Sequence, residues 1–181
     1  MLAFDDGYFK PKTKTNALLV GIVYRLDHRV EGVLSTDIRV DGFNATSKLI
    51  QLFKKSKFKP QTRYLMLSGI NFAGFNIADL PKIAQELETP VIAVFRKKPR
   101  MEKIRRALKK LPQSRKRLSL LEKAGEIHSC DKIYFQCHGV NAREACTVIR
   151  KSILHSQLPE PIRLAHLIAS GTTIGQSTST L

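Results

Sequence analysis

Residues 17–40 read ALLVGIVYR, LDHR and VEGVLSTDIRV in succession, and this stretch decides the fold. Ala17–Arg25 is a nearly continuous apolar run carrying Val20, Ile22 and Val23, the pattern of a buried strand. Val30–Val40 follows after only Leu26-Asp27-His28-Arg29, a connection short enough for an antiparallel hairpin. Within it Leu34, Ile38 and Val40 share one face, while Ser35, Asp37 and Arg39 take the other. Upstream, Met1-Leu2-Ala3-Phe4 reads as a short strand running into Asp5-Asp6-Gly7, a turn signal. Three consecutive strands make a meander.

Downstream the period changes. Asn44–Ser56 is helical by the spacing of Leu49, Leu52 and Phe53, and Lys54, Lys55, Lys57 and Lys59 suit its negative end. Tyr64–Leu67 is a strand ending at Ser68-Gly69, and Gly69 and Gly74 mark a loop. Asp79 is placed as the N-cap of a helix with Pro81 in its first turn. Val91–Phe95 and Lys132–Cys137 are further strands. Asn141, with Glu144 three residues on, opens a helix through Leu154. Pro159 and Pro161 open a last helix ending near Ser170-Gly171, and Gly171–Leu181 reads as a loose, flexible tail. Strands alternating with helices form crossover units on a partly parallel sheet. The expectation is one α/β domain over residues 1–170 with a five-stranded mixed sheet. Lys132–Cys137 would add a sixth strand at the edge or in the parallel set.

A chain of 181 residues with 43% hydrophobic and 25% charged residues suits one globular domain. Thirty-one Lys+Arg against 15 Asp+Glu leave +16, which nominates a polyanion as partner. No apolar run approaches the roughly 18 residues that span a bilayer, so no membrane segment is expected. No signal peptide is expected either. Cys130, Cys137 and Cys146 are an odd number without a disulfide framework, which favours a reducing, cytoplasmic setting.

The charge is concentrated. Arg96–Lys123 holds 13 Lys+Arg and only Glu102 and Glu122, hence +11 of the +16. Met101, Ile104, Leu108 and Leu111 form one narrow apolar stripe on a helix, and Lys103, Arg105, Arg106, Lys109 and Lys110 fill its other faces. A second helix, Ser114–Ala124, carries Arg115, Lys116 and Arg117 in its first turn, against the helix dipole. With Arg96, Lys97 and Lys98 these residues form a basic helical insertion over 96–124, expected to grip nucleic-acid phosphates. The segment has no aromatic residue, so base stacking is not expected there. The competing reading is a solvated surface, or a non-catalytic module binding RNA or an acidic protein.

Asp5, Asp6, Asp37 and Asp41 fall near strand ends, where carboxylates serve hard divalent cations in phosphoryl transfer. Each has a plain alternative: Asp6-Gly7 and Asp41-Gly42 are turn dipeptides, and Asp37 can pair with Arg39 or Lys48. His128, Cys130, Cys137 and His138 lack the paired Cys spacing of structural zinc. Cys146 reads as a small core residue, and His166 as a packed or partly exposed histidine. No phosphate-binding loop, dinucleotide fingerprint or serine-nucleophile elbow occurs.

Four segments carry a resemblance. Phe4-Asp5-Asp6-Gly7, Val40-Asp41-Gly42-Phe43-Asn44-Ala45-Thr46, Ser68-Gly69-Ile70-Asn71-Phe72-Ala73-Gly74-Phe75-Asn76 and Pro159-Glu160-Pro161-Ile162-Arg163-Leu164-Ala165-His166-Leu167-Ile168-Ala169 resemble an uncharacterised archaeal family. It is domain of unknown function ninety-nine, and the likeness covers essentially the whole chain. That family in turn resembles endonuclease V. The resemblance implies a ribonuclease H-like fold: three antiparallel strands, then two parallel ones, with helices on both faces. It also implies a first catalytic aspartate at Asp5 or Asp6, and a second acid at Asp41 with Asp37 as competitor. A third carboxylate would stand in an Asp-Gly pair, but this chain has Ser68-Gly69 there. The histidine after a late strand is matched by His138. The implied site is therefore partly degenerate: Asp5, Asp41 and His138 as catalytic groups, and Asp5, Asp6 and Asp41 as weak ligands of Mg²⁺ or Mn²⁺. Asp79 would either replace the missing ligand or simply cap its helix.

Overall fold

The hairpin at residues 17–40 forms as expected in a computed structural model that describes residues 1–11 and 13–177. β2 (Asn16–Tyr24) pairs antiparallel with both β1 (Leu2–Asp6) and β3 (Val30–Arg39). Gly21 of β2 lies opposite Phe4 of β1, and any Cβ there would run into the Phe4 ring. β4 (Leu65–Ser68) runs parallel to β1, and β7 (Val91–Phe95) parallel to β4. This is the ribonuclease H-type order: an antiparallel meander continued by a parallel pair.

Two strands extend it. β9 (Ile133–His138) lies antiparallel to β7, and β8 (His128–Cys130) closes the edge. The order is β3-β2-β1-β4-β7-β9-β8, so the late strand is neither at the edge nor in the parallel set. The reason is its entry: α3 (Met101–Lys109) and α4 (Ser114–Lys123) intervene, and the chain then turns back on itself through β8. Between β4 and β7, β5 (Asn71–Phe72) and β6 (Asn76–Ile77) form a separate small ribbon.

Helices cover both faces. On one, α1 (Ala45–Lys55), α2 (Leu80–Leu87), α3 and α4 pack over Leu2, Phe4, Leu65 and Leu67. The stripe Met101, Ile104, Leu108 and Leu111 docks the basic insertion into this layer. On the other face lie α5 (Ala142–Ser152), over Ile92, Val94 and Phe135, and α6 (Glu160–Ile174). Ala165 and Ala169 of α6 meet Val20, Ile22 and Tyr24, small side chains letting the helix come close to the sheet. Asn141 caps α5 by accepting from the Glu144 N–H at 2.9 Å.

Two expectations are corrected. The last helix runs through Gly171 to Ile174 and ends at Gly175, whose φ of 81° is the left-handed cap glycine favours. Residues 178–181 of the expected tail lie outside the described residues. Cys130 and Cys146 form a disulfide, because β8 and α5 bring their Cα atoms to 5.5 Å. Cys137 stays reduced. Among the described residues no helix is long and apolar enough to cross a membrane.

Candidate functional site

The parallel register sets the site. Phe4 pairs with Leu67, so the next step places Asp5 beside Ser68, both at the carboxyl ends of their strands. In sheets of this kind ligands bind in the crevice outside those ends. Asp5 is 5% exposed and points toward α6, where the His166 Nδ1 lies 2.9 Å from its Oδ2. Burial pushes the Asp5 carboxyl up, while the bond and charge of His166 and the Ser68 hydroxyl hold it down. Asp6 points to the opposite face. Burial first, and the neighbouring Asp5 charge second, push it up to about 7. Asp5, Asp6, His166 and Ser170 line one cavity of about 310 Å³.

Beside it a second cavity of about 250 Å³ has Ser68 and Gly69 at its floor, Val94, Phe95, Leu158 and Ile162 as an apolar wall, and Arg96 and Lys97 on its rim. The basic segment thus begins at the site. Lys98, Arg105, Arg106, Lys109, Lys110, Arg115 and Lys116 are exposed along the insertion. The Lys116 ammonium lies 4.5 Å from the centre of the Phe43 ring.

Arg117 departs from this set and is corrected. It is 3% exposed, and its side chain turns inward. Nε donates to the Pro112 carbonyl at 3.2 Å, Nη1 to the carbonyls of Phe75 and Gly42, and Nη2 to that of Asp41. The guanidinium also stacks on Phe43 at 4.2 Å. Its position in the first turn of α4 therefore has a structural return: it satisfies carbonyls of irregular backbone that no strand pairs.

Asp41 is held in the loop that Asp6 also holds. Its φ of 51° turns it into a loop brace: its N–H donates to Ala73 O at 2.8 Å, and its Oδ1 accepts from Phe75 N–H at 2.9 Å. Gly74 packs against that carboxylate so closely that no Cβ would fit. Asp6 braces the same loop, accepting from Ala73 N–H at 2.8 Å. Asp37 lies opposite Leu18 on the solvent face of β3. Asp79 caps α2 by accepting from Lys82 N–H, and Lys123 stands 3.7 Å from its other oxygen. His138 is at the wrong end. Because β9 runs antiparallel, His138 pairs with Val91 at the start of β7, and its Nε2 lies 3.2 Å from Ala124 O.

The histidine at the site is His166, which sequence reasoning set aside. The signal was present: Ile162, Ala165 and Ala169 mark the buried stripe of α6, and His166 adjoins it one turn after Ile162. Among the described residues no three His, Cys, Asp or Glu side chains gather into a metal cage. Asp6 turns its carboxylate to the other face, against Ala73 N–H, which leaves Asp5 and the Ser68 hydroxyl as the hard oxygen donors at this strand-end crevice. They fit a cation held, as Mg²⁺ is, by one or two carboxylates together with water and phosphate.

Comparison with known proteins follows the same lines. A UPF0215 protein of Methanothermobacter thermautotrophicus is 41% identical over 181 residues, covering 98% of this chain and 89% of the relative. A crystal structure of a protein of unknown function from Archaeoglobus fulgidus superposes with a TM-score of 0.88 at 37% identity, covering 94% of this chain and 96% of that one. Ciona intestinalis endonuclease V, bound to a 23mer DNA containing an inosine followed by a ribo-adenosine, superposes with a TM-score of 0.58 at 15% identity. That alignment covers 91% of this chain and 80% of the other, and it is a likeness of fold alone. The sequence pattern of the family described as endonuclease dU matches residues 1–173, and this chain, braced loop and strand-end aspartates included, belongs to that family.

Proposed function

We propose that this protein is a DNA endonuclease that cuts strands carrying a deaminated base, deoxyuridine first among them. The observation that carries the reading is the Asp5–His166 pair at 2.9 Å, seated at the carboxyl ends of the parallel strands beside a rim of Arg96 and Lys97. The family description supports the substrate, and the fold shared with a DNA-bound endonuclease supports the partner.

The residues divide the work. Arg96 and Lys97 attract the phosphate, and the exposed insertion tracks the backbone to either side. Asp5 orients the imidazole through Nδ1, so that His166 holds or passes a proton in a site shielded by Val94 and Ile162. Ser68 keeps the Asp5 carboxylate in place by donating its hydroxyl proton. A Mg²⁺ or Mn²⁺ bound to Asp5 would polarise the phosphate and lower the pKa of a bound water. Ser68 stands where a third carboxylate would strengthen that binding, so the divalent site is weak.

The test uses end-labelled strands containing deoxyuridine, inosine or neither, with Mn²⁺ and with chelator. Nicking of the deoxyuridine strand in Mn²⁺ is expected, and Ser68→Asp should bind Mn²⁺ more tightly. Neutralising Arg105, Arg106, Lys109 and Lys110 together should weaken binding to all strands alike and lower the salt slope by about 3–4. Intact strands in Mn²⁺, with binding retained, would leave a nucleic-acid-binding module without catalysis.

A further inference from the structure

The basic insertion and the Asp5–His166 centre are joined by a series of hydrogen bonds and one step along the chain. Arg117 of α4 donates to Phe75 O and Asp41 O. Phe75 N–H donates to Asp41 Oδ1, and Asp41 N–H donates to Ala73 O. Ala73 N–H donates to Asp6 Oδ2, and Asp6 is covalently next to Asp5, which holds His166. Every step is buried or half-buried, so water competes little for it.

We infer that Arg117 is a positioning residue that locks the phosphate-gripping insertion to the loop at residues 73–75, so that DNA bound on the insertion is held in register with the Asp5–His166 centre. The inference rests on the reading above that this end of the sheet meets DNA. A guanidinium suits the task because its planar fork reaches several carbonyls at once while its face stacks on Phe43. Pro112 O, the Nε partner, belongs to the turn joining α3 to α4, so the same side chain also sets the bend of the insertion. Lys123 beside Asp79 pins the far end of α4. The exposed cations beyond Arg117 then move with the site rather than apart from it.

The test compares wild type with Arg117→Lys, which keeps the charge but cannot bridge several carbonyls, and with Arg105→Gln as a variant of the exposed surface. Four quantities are read on a deoxyuridine-containing 24mer: affinity against salt, cleavage rate, nick position, and amide hydrogen exchange of residues 69–77 with and without DNA. Arg117→Lys should bind within about twofold of wild type, because the exposed cations remain. Its cleavage should fall about a hundredfold in kcat, with nicks spread over neighbouring phosphates. DNA should slow exchange of the 69–77 loop in wild type and lose that effect in Arg117→Lys, while still protecting α3. Arg105→Gln should do the reverse, weakening binding with nick position unchanged. A merely structural arginine would lower the amount of product without spreading the cuts. Loop protection persisting in Arg117→Lys, or nicks staying at one phosphate, would overturn the inference. If wild type cuts nothing, the endonuclease reading fails, yet the exchange measurement still decides the coupling.

Discussion

The two ends of the parallel strands each carry a histidine, and the two meet different partners. At the carboxyl end, His166 meets a buried carboxylate and lines a cavity, and Ser68, beside Asp5, lines a second one that Arg96 and Lys97 also border. At the opposite end, His138 faces a backbone carbonyl, with the left-handed Gly125 beside it. What separates them is chain direction, not local composition. Strand ends gather side chains from loops that are distant in sequence, and β1, β4 and β7 point the same way. β9 points the other way, so its last residue is delivered to the far side.

The comparison can be broken most directly at its two histidine ends. Asp5→Asn should reduce cleavage by about 10²–10⁴ by depriving His166 of its orienting charge. His138→Gln should leave cleavage unchanged, because glutamine can still donate to Ala124 O. Single-turnover assays of both variants decide, and a larger loss in His138→Gln would reverse the assignment of ends.

A smaller effect sharpens the contrast within the carboxyl end. Arg117→Met strands several buried carbonyls and should cost about 3 kcal/mol of stability by urea denaturation. Arg105→Met, on the exposed face of α3, should stay within about 0.5 kcal/mol. Equal losses would mean that the inward turn of Arg117 does not hold the loop.

The smallest effect is a slope. Asp6 titrates at about 7 instead of 3.8, so between those values the folded chain keeps a proton that the unfolded chain has released. Stability therefore falls as pH rises through that window, by up to about 1.4 kcal/mol per pH unit. Asp6→Asn should flatten the difference between pH 5 and pH 7.5, measured with chelator present. An unchanged slope would place the Asp6 carboxylate in water rather than against Ala73.

Much of this was legible in the amino-acid order. The apolar run Ala17–Arg25, the short link before Val30 and the turn at Asp5-Asp6-Gly7 specify the meander, because strand alternation and loop length are local properties. The concentration of charge in Arg96–Lys123 and the apolar stripe that docks it are local too. So is Asp5 as a strand-end acid.

Tertiary structure alone decided the rest. The antiparallel course of β9 carries His138 to the far end and leaves His166 beside Asp5, since which residues share a strand end depends on direction across the whole sheet. The inward turn of Arg117 depends on the carbonyls of Phe75 and Gly42, 42 and 75 residues away in sequence, and the loop-bracing role of Asp41 on the Phe75 N–H, 34 residues away. Cys130 and Cys146 meet only because an edge strand lies under a helix. Composition nominates the groups; the direction and registry of the strands select which of them touch.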